Sequence, residues 1–154
     1  LIIMMIGFLF SNFAIFIPKT FLGDNGSTTL GFLISCYLIY FTLPENRHFH
    51  PVLALWAAPM PTFDFLAVFI KRIIIRTNPF KPDRRHMHYL LKSLNISNNL
   101  ISASLVFTSL SLTLAGYLIF SLLGSIHSLV FFVFIFVIYF FISVSLSANK
   151  NIKI

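Results

Sequence analysis

The sequence predicts an all-α polytopic membrane protein with about five transmembrane helices. Three observations lead there. Hydrophobic residues make up 58% of the chain and charged residues only 10%, and Phe alone occurs 20 times in 154 residues. A soluble domain of this size has too little interior to hide so much apolar surface. The apolar residues gather into long runs that leave almost no polar face to meet water, which argues against the buried helices of a soluble bundle. The basic residues, finally, lie almost entirely on one side of those runs.

The runs cover residues 1–17, 28–43, 52–70, 100–123 and 126–146. A helix needs about 20 apolar residues to cross a hydrocarbon core of about 30 Å, and the last three runs have that length. The second is short unless its helix begins inside the preceding block, Phe21-Leu22-Gly23-Asp24-Asn25-Gly26-Ser27. The first opens at Leu1 inside an apolar stretch, with neither the basic segment nor the small-residue cleavage site of a signal peptide, so truncation is the expectation. The single cysteine, Cys36, sits in an apolar run, which excludes a disulfide framework and reads as a packing residue. The organisation expected is a membrane domain over 1–148 with a loop at 71–98, followed by a short tail at 149–154.

Charge sets the orientation. Ten of the eleven basic residues fall on one side: Lys19, seven between residues 71 and 98, and Lys150 and Lys153 in the tail. The other side carries Arg47 in the segment Pro44 to Pro51 and a short Gly124-Ser125 turn. The positive-inside rule makes the basic side, with its loop and the C-terminal tail, cytoplasmic. The net charge of +7 does not signal nucleic acid, because no recognition helix or stacking platform accompanies it. Attraction to anionic headgroups of the bilayer accounts for the tail lysines. It does not account for two prolines, an aspartate and two histidines set among the arginines of Pro79-Phe80-Lys81-Pro82-Asp83-Arg84-Arg85-His86-Met87-His88.

Two blocks therefore carry the chemistry. In the first, the small residues around Asp24 allow close backbone approach, and a helix start offers free N–H groups to an anion. Asp24 could hold Mg²⁺, a hard cation that prefers oxygen ligands, or could serve as a helix N-cap. In the second block the prolines stiffen the loop, and Asp83 can cap a helix running onward from Arg84, which would put His86 and Tyr89 on one face and His88 on another. His86 and His88 lack a third ligand at zinc spacing and, beside Arg84 and Arg85, look more like a phosphate cradle. Between the blocks, Asp64 lies in the third apolar run, where a carboxylate is costly unless paired. It reads as a structural carboxylate bonded to a neighbouring helix. Arg72, two turns on and about 12 Å along the same side, emerges at the cytoplasmic end with a fork that matches diphosphate oxygens.

In order and context these stretches resemble the bacterial polyprenyl-phosphate N-acetylhexosamine-1-phosphate transferases (glycosyltransferase family 4), most closely the undecaprenyl-phosphate N-acetylglucosamine-1-phosphate type. Gly7-Phe8-Leu9, Asn12, Phe21 to Ser27, Ala54-Leu55-Trp56, Pro61, Asp64, Val68, Lys71, Arg72 and the stretch Asn78 to Tyr89 carry the resemblance, which covers about residues 7–125. It implies that this chain is the C-terminal part of a larger helical bundle in the bacterial inner (plasma) membrane. The implied reaction is transfer of a sugar 1-phosphate from a UDP-sugar to polyprenyl phosphate with release of UMP, the first step of a lipid-linked polysaccharide. The resemblance makes Asp24 a ligand of Mg²⁺ (Mn²⁺ is the alternative) and a catalytic residue together with His86. It makes Arg72, Asp83, Arg84, His86 and His88 the substrate-binding set.

Two residues depart from the family pattern. Tyr89 stands where the last histidine of the motif is usual, and Arg76 where a glycine is usual. The Asp-Asp and Asn-x-x-Asp-Gly motifs of earlier cytoplasmic loops are absent, and only four acids occur in the chain. A complete active site is therefore not expected without a missing N-terminal half. The alternatives are a catalytically inactive membrane remnant and a transporter segment, the latter disfavoured because no inverted repeat is visible.

Overall fold

A computed structural model describes residues 23–46, 48–78 and 86–148, and among them the only regular elements are helices. They belong to two units, residues 1–48 and 49–154.

In the first unit, helix α1 spans Gly23–Thr42 and is followed by one 3-10 turn at Pro44–Asn46. Gly23 enters the helix with φ +65°, a conformation that glycine adopts without strain. The helix starts within the Gly-Asp-Asn-Gly-Ser block, so Asp24 lies in the first turn of α1 and does not cap a helix beginning later. Hydroxyls along α1 bond back to its own carbonyls, Thr29 Oγ1 to Asn25 O at 2.7 Å and Ser35 Oγ to Gly31 O at 2.9 Å, which satisfies them without water. Cys36, read as a packing residue, is exposed on α1. The unit closes where His48 N–H donates to Phe41 O at 3.0 Å and the two rings meet edge to face.

The second unit holds α2 (Pro51–Leu55), α3 (Pro59–Ile74), α4 (Met87–Lys92), α5 (Asn98–Leu123) and α6 (Ser125–Ala148). The single continuous span expected over 52–70 is broken at Trp56–Ala58. Pro59 and Pro61 lack the N–H groups that a continuous ladder would require there, and Pro59 opens the new helix at its first position. The 16 residues of α3 reach about 24 Å, short of the hydrocarbon thickness. Among the described residues two helices, α5 with 26 residues and α6 with 24, are long and apolar enough to cross a membrane, where five had been expected. The first expected run, residues 1–17, lies outside the described residues.

Gly124 alone joins α5 to α6, at φ +88°, and makes them a hairpin. Contacts of Trp56 and then α3 with α6 climb along the chain, from Trp56–Ser128 through Phe63–Phe132 and Asp64–Tyr139 to Lys71–Ser143. The two therefore run parallel, and α5 runs against them. Lys71, Arg72 and Arg76 consequently lie at the end where α5 begins and α6 stops. The start of α4 and the C-terminal end of α6 belong to the same unit.

The core is built on Trp56 and Phe63, which are almost wholly buried. Phe63 packs among Phe132, Phe136 and Tyr139, with ring centroids 4.8–5.7 Å apart. Trp56 donates its indole N–H to Ser128 Oγ at 3.0 Å, Ser128 Oγ donates to Gly116 O at 3.2 Å, and Thr113 Oγ1 donates to Trp56 O at 2.7 Å. A methyl group at Gly116 would overlap the indole, so glycine is what lets α5 approach it. Helices in lipid gain little from hiding apolar surface, and small residues with short polar bonds supply the cohesion. Outward, α5 and α6 expose Phe107, Leu122, Ile126 and Phe141. Only 6% of the most apolar stretch of α5 and 17% of that of α6 is buried. A soluble core helix would be covered, and this apolar surface suits a membrane protein solvated by lipid.

Candidate functional site

Asp64 is the centre of the described site. Three groups from two parts of the fold, the start of α4 and the middle of α6, converge on its carboxylate. The Met87 backbone N–H and the Tyr139 hydroxyl donate to Oδ1 at 2.8 and 2.9 Å, and His86 Nδ1 lies 2.9 Å from Oδ2. The sequence reading of Asp64 as a carboxylate bonded to a neighbouring helix is what the structure shows, with Tyr139 of α6 as that helix's contribution.

Local structure explains the convergence. His86 is extended, at φ −65° and ψ 149°, and occupies the N-cap position of α4 without making a side-chain cap bond. The first N–H groups of a helix have no partner within it. Asp64 satisfies that of Met87 from another helix and so serves as a tertiary cap with a charge-assisted bond. Met87 and Leu90 are buried and hold α4 in the second unit. Because α4 begins at Met87, it does not run onward from Arg84, and the shared helical face expected for His86 and Tyr89 does not form.

His88 is exposed, and its ring lies against Tyr89 with centroids 4.1 Å apart. It also lines an open pocket of about 380 Å³ with Asp64, Ser109 and Tyr139 as the other polar members of a largely apolar wall. His86 bonds to the same carboxylate that lines this pocket with His88.

Arg72 is not at an open mouth. It is 5% exposed, and its Nη1 donates to Asn78 O at 3.3 Å. The cause is the end of α3, where Arg76 N–H donates to Ile73 O and Thr77 N–H to Arg72 O, both at 3.0 Å. This Schellman turn folds the chain back over the guanidinium and requires Arg76 to adopt φ +54°. Glycine is favoured at such a position, which gives a physical reason for the glycine usual in the family pattern. Lys71 is buried as well, with Nζ donating to Ser143 Oγ at 2.8 Å.

The side chain of Asp24 and residues 79–85, which include Asp83 and Arg84, lie outside what the structure describes. Asp64 already makes three polar contacts, two at Oδ1 and one at Oδ2. Sequence reasoning missed Tyr139 and the burial of Lys71, which it named only as a match to the family pattern. The available signal for Tyr139 was a phenol within an apolar run, which needs a partner when buried. For Lys71 it was the pair Ser143 and Ser147, one turn apart on α6.

An all-α membrane fold with a carboxylate bound to a histidine segment is the class these features define. No family profile and no solved structure matches the chain. Curated proteins do match it. The undecaprenyl-phosphate alpha-N-acetylglucosaminyl 1-phosphate transferase of Haemophilus influenzae is 38% identical over 94 residues, covering 59% of this chain and 26% of that protein. The proteins of the same name from Pasteurella multocida and Escherichia coli are 40% and 38% identical over 73 residues, covering 47% of this chain and 20% of each relative. The resemblance carried by the motifs is thus matched by curated relatives of that kind, and the matched part spans about a quarter of their length or less.

Proposed function

We propose that this chain is part of a membrane enzyme that transfers N-acetylglucosamine 1-phosphate from its UDP derivative to undecaprenyl phosphate, with release of UMP. The observation that carries the reading is the Asp64–His86 contact at 2.9 Å. It ties α3 to the His-Met-His segment, two blocks that follow one another in the same order in the family the chain resembles. The reaction belongs at the cytoplasmic face of the bacterial plasma membrane, where the basic residues of the loop and tail would meet anionic substrates.

In such a transfer an oxygen of the carrier phosphate bonds to the β-phosphorus of the UDP-sugar, and the bond from that phosphorus to the UMP oxygen breaks. Positioning and charge neutralisation account for most of the acceleration. Arg84, His86 and His88 are the groups proposed to hold the diphosphate, with Asp83 ordering the loop and the buried Arg72 bracing the turn that leads into it. Asp24 is the proposed ligand of Mg²⁺, which when bound would neutralise phosphate charge as a Lewis acid. The remaining carboxylates would come from the part of the enzyme that precedes the matched stretch in its relatives. An inactive membrane remnant is the second reading, favoured by Tyr89 in place of the motif's last histidine.

Coexpression separates the two. Membranes containing this chain and the preceding part of the Escherichia coli relative would be supplied with radiolabelled UDP-N-acetylglucosamine and Mg²⁺. Labelled lipid that forms only when both parts are present supports the transferase. Its absence, with both parts inserted and associated, leaves the remnant.

A further inference from the structure

We infer that Asp64 is a positioning residue that fixes the protonation pattern of His86, so that Nδ1 carries a proton and Nε2 is the ring nitrogen offered to substrate. The inference rests on the transferase reading only for the identity of that substrate, a phosphate-bearing group of the UDP-sugar or carrier.

The geometry leads to it in steps. Tyr139 O–H and Met87 N–H are donors, and both reach Oδ1. An ionised carboxylate offers only lone pairs, so the contact from Oδ2 to His86 Nδ1 at 2.9 Å draws its proton from the imidazole. Which ring nitrogen of a neutral histidine is free is set by the bond that the other makes. Nδ1 is committed to Asp64, which leaves Nε2 as an acceptor in the neutral ring and a donor in the protonated one. One carboxylate also grips two successive residues, the ring of His86 and the N–H of Met87, so it holds both the side chain and the backbone to which that side chain is attached. Tyr139 in turn orients the carboxylate from α6. Such a chain of partners is how a functional nitrogen is held within the narrow tolerance that chemistry requires. A tertiary helix cap would need only the Met87 bond; the second oxygen on the imidazole is what that simpler role leaves unexplained.

Asp64→Asn provides a sharp test because it keeps the shape and reverses one contact. The amide oxygen can still accept from Met87 and Tyr139, which places the amide NH₂ against Nδ1. Nδ1 must then become an acceptor, and the proton must move to Nε2. Nuclear magnetic resonance of the full chain in lipid nanodiscs, with isotope-labelled imidazole nitrogens, reads this directly at alkaline pH, where the ring is neutral. His86→Gln identifies the resonance among the five histidines. The expected result is Nδ1–H in the wild type, Nε2–H in Asp64→Asn, and Nδ1–H retained in Tyr139→Phe. The indole N–H of Trp56, the sole tryptophan, reports that each variant is folded. Nε2–H in the wild type would overturn the inference, and that spectrum decides even if the variant does not fold. Nδ1–H persisting in folded Asp64→Asn would overturn it equally. In the coexpressed enzyme Asp64→Asn should lower kcat by about ten- to a hundredfold, the usual scale for a partner that orients a functional histidine, while the KM for the UDP-sugar changes far less. A tautomer switch in a chain that yields no labelled lipid sustains the positioning and removes only the transferase reading.

Discussion

The hydroxyl of Tyr139 donates to the carboxylate of Asp64 across 75 positions of sequence, at 2.9 Å. This bond joins α3 to α6 and gives a buried phenol and a partly buried carboxylate a partner in each other. Tyr139→Phe should therefore leave the fold intact and lower its stability by about 1.5 kcal/mol. Bonds to charged groups contribute about 1.5–3 kcal/mol in water-soluble proteins, and polar bonds within membranes reach at most about 1.7. Equilibrium unfolding of the reconstituted chain with Tyr139→Phe, Asp64→Ala and the double variant measures it. Additive losses would show that the two side chains do not depend on each other.

At the opposite end of α3 the limit is steric. Gly116→Ala should force α5 away from the Trp56 indole, with a loss of about 1–3 kcal/mol, the cost of overfilling a packed site. Trp56 is the sole tryptophan, so its emission reports the change without ambiguity. A red shift and weaker quenching protection are expected; emission identical to the wild type would mean that α5 does not pack against the ring.

How far the sequence could foresee these features depends on their range. The need of Asp64 for a partner was legible, because a carboxylate in an apolar run demands one. That the partner is Tyr139 was not, since nothing local marks which of the five tyrosines will face it. Pro59 and Pro61 spelled out the break in the third run, but the hydropathy continues through them and suggested one helix. His86 was named from its motif, yet its place before α4 was misread, because the N–H of Met87 is capped by Asp64 from α3. Arg72 looked exposed from its position at a helix end, and only the turn through Arg76 reveals that the chain folds back over it.

Arg76 supplies a prediction of opposite sign. A residue with a Cβ in the left-handed region costs about 1–2 kcal/mol relative to glycine. Arg76→Gly should relieve part of that, offset by the greater freedom of glycine in the unfolded chain. A net gain of about 0.5 kcal/mol is expected in the same unfolding measurement. A clear loss of stability would show that the arginine side chain holds the turn by contacts that outweigh the strain.

The clustering of Lys71, Arg72 and Arg76 at one end of the second unit bears on membrane orientation. With Cys36→Ser as background, a cysteine at Asn46 should react with an impermeant thiol reagent added outside spheroplasts, and a cysteine at Lys81 should react only after the membrane is opened. Lys81→Cys labelled from outside would reverse the proposed topology and move the candidate site to the wrong face for nucleotide substrates.

The last prediction concerns the metal, in the coexpressed enzyme. Asp24→Asn removes an anionic ligand while keeping size and hydrogen bonding, so Mg²⁺ would be held less well against the diphosphate. Turnover should fall on the order of a hundred- to a thousandfold, the loss usual when one electrostatic stabiliser is removed. Excess Mg²⁺ should restore little of it, because asparagine cannot replace the charge. Arg72→Ala should instead loosen the turn at the end of α3 and lower turnover with the KM for the UDP-sugar little changed, since its guanidinium is buried and donates to Asn78 O. Tyr89→His should leave activity unchanged or raise it, by returning an imidazole to the motif beside His88. Near-normal turnover of Asp24→Asn at saturating Mg²⁺ would withdraw the metal assignment, and Asp24 would then be an acid in the first turn of α1, where a negative charge is favoured by the helix dipole alone.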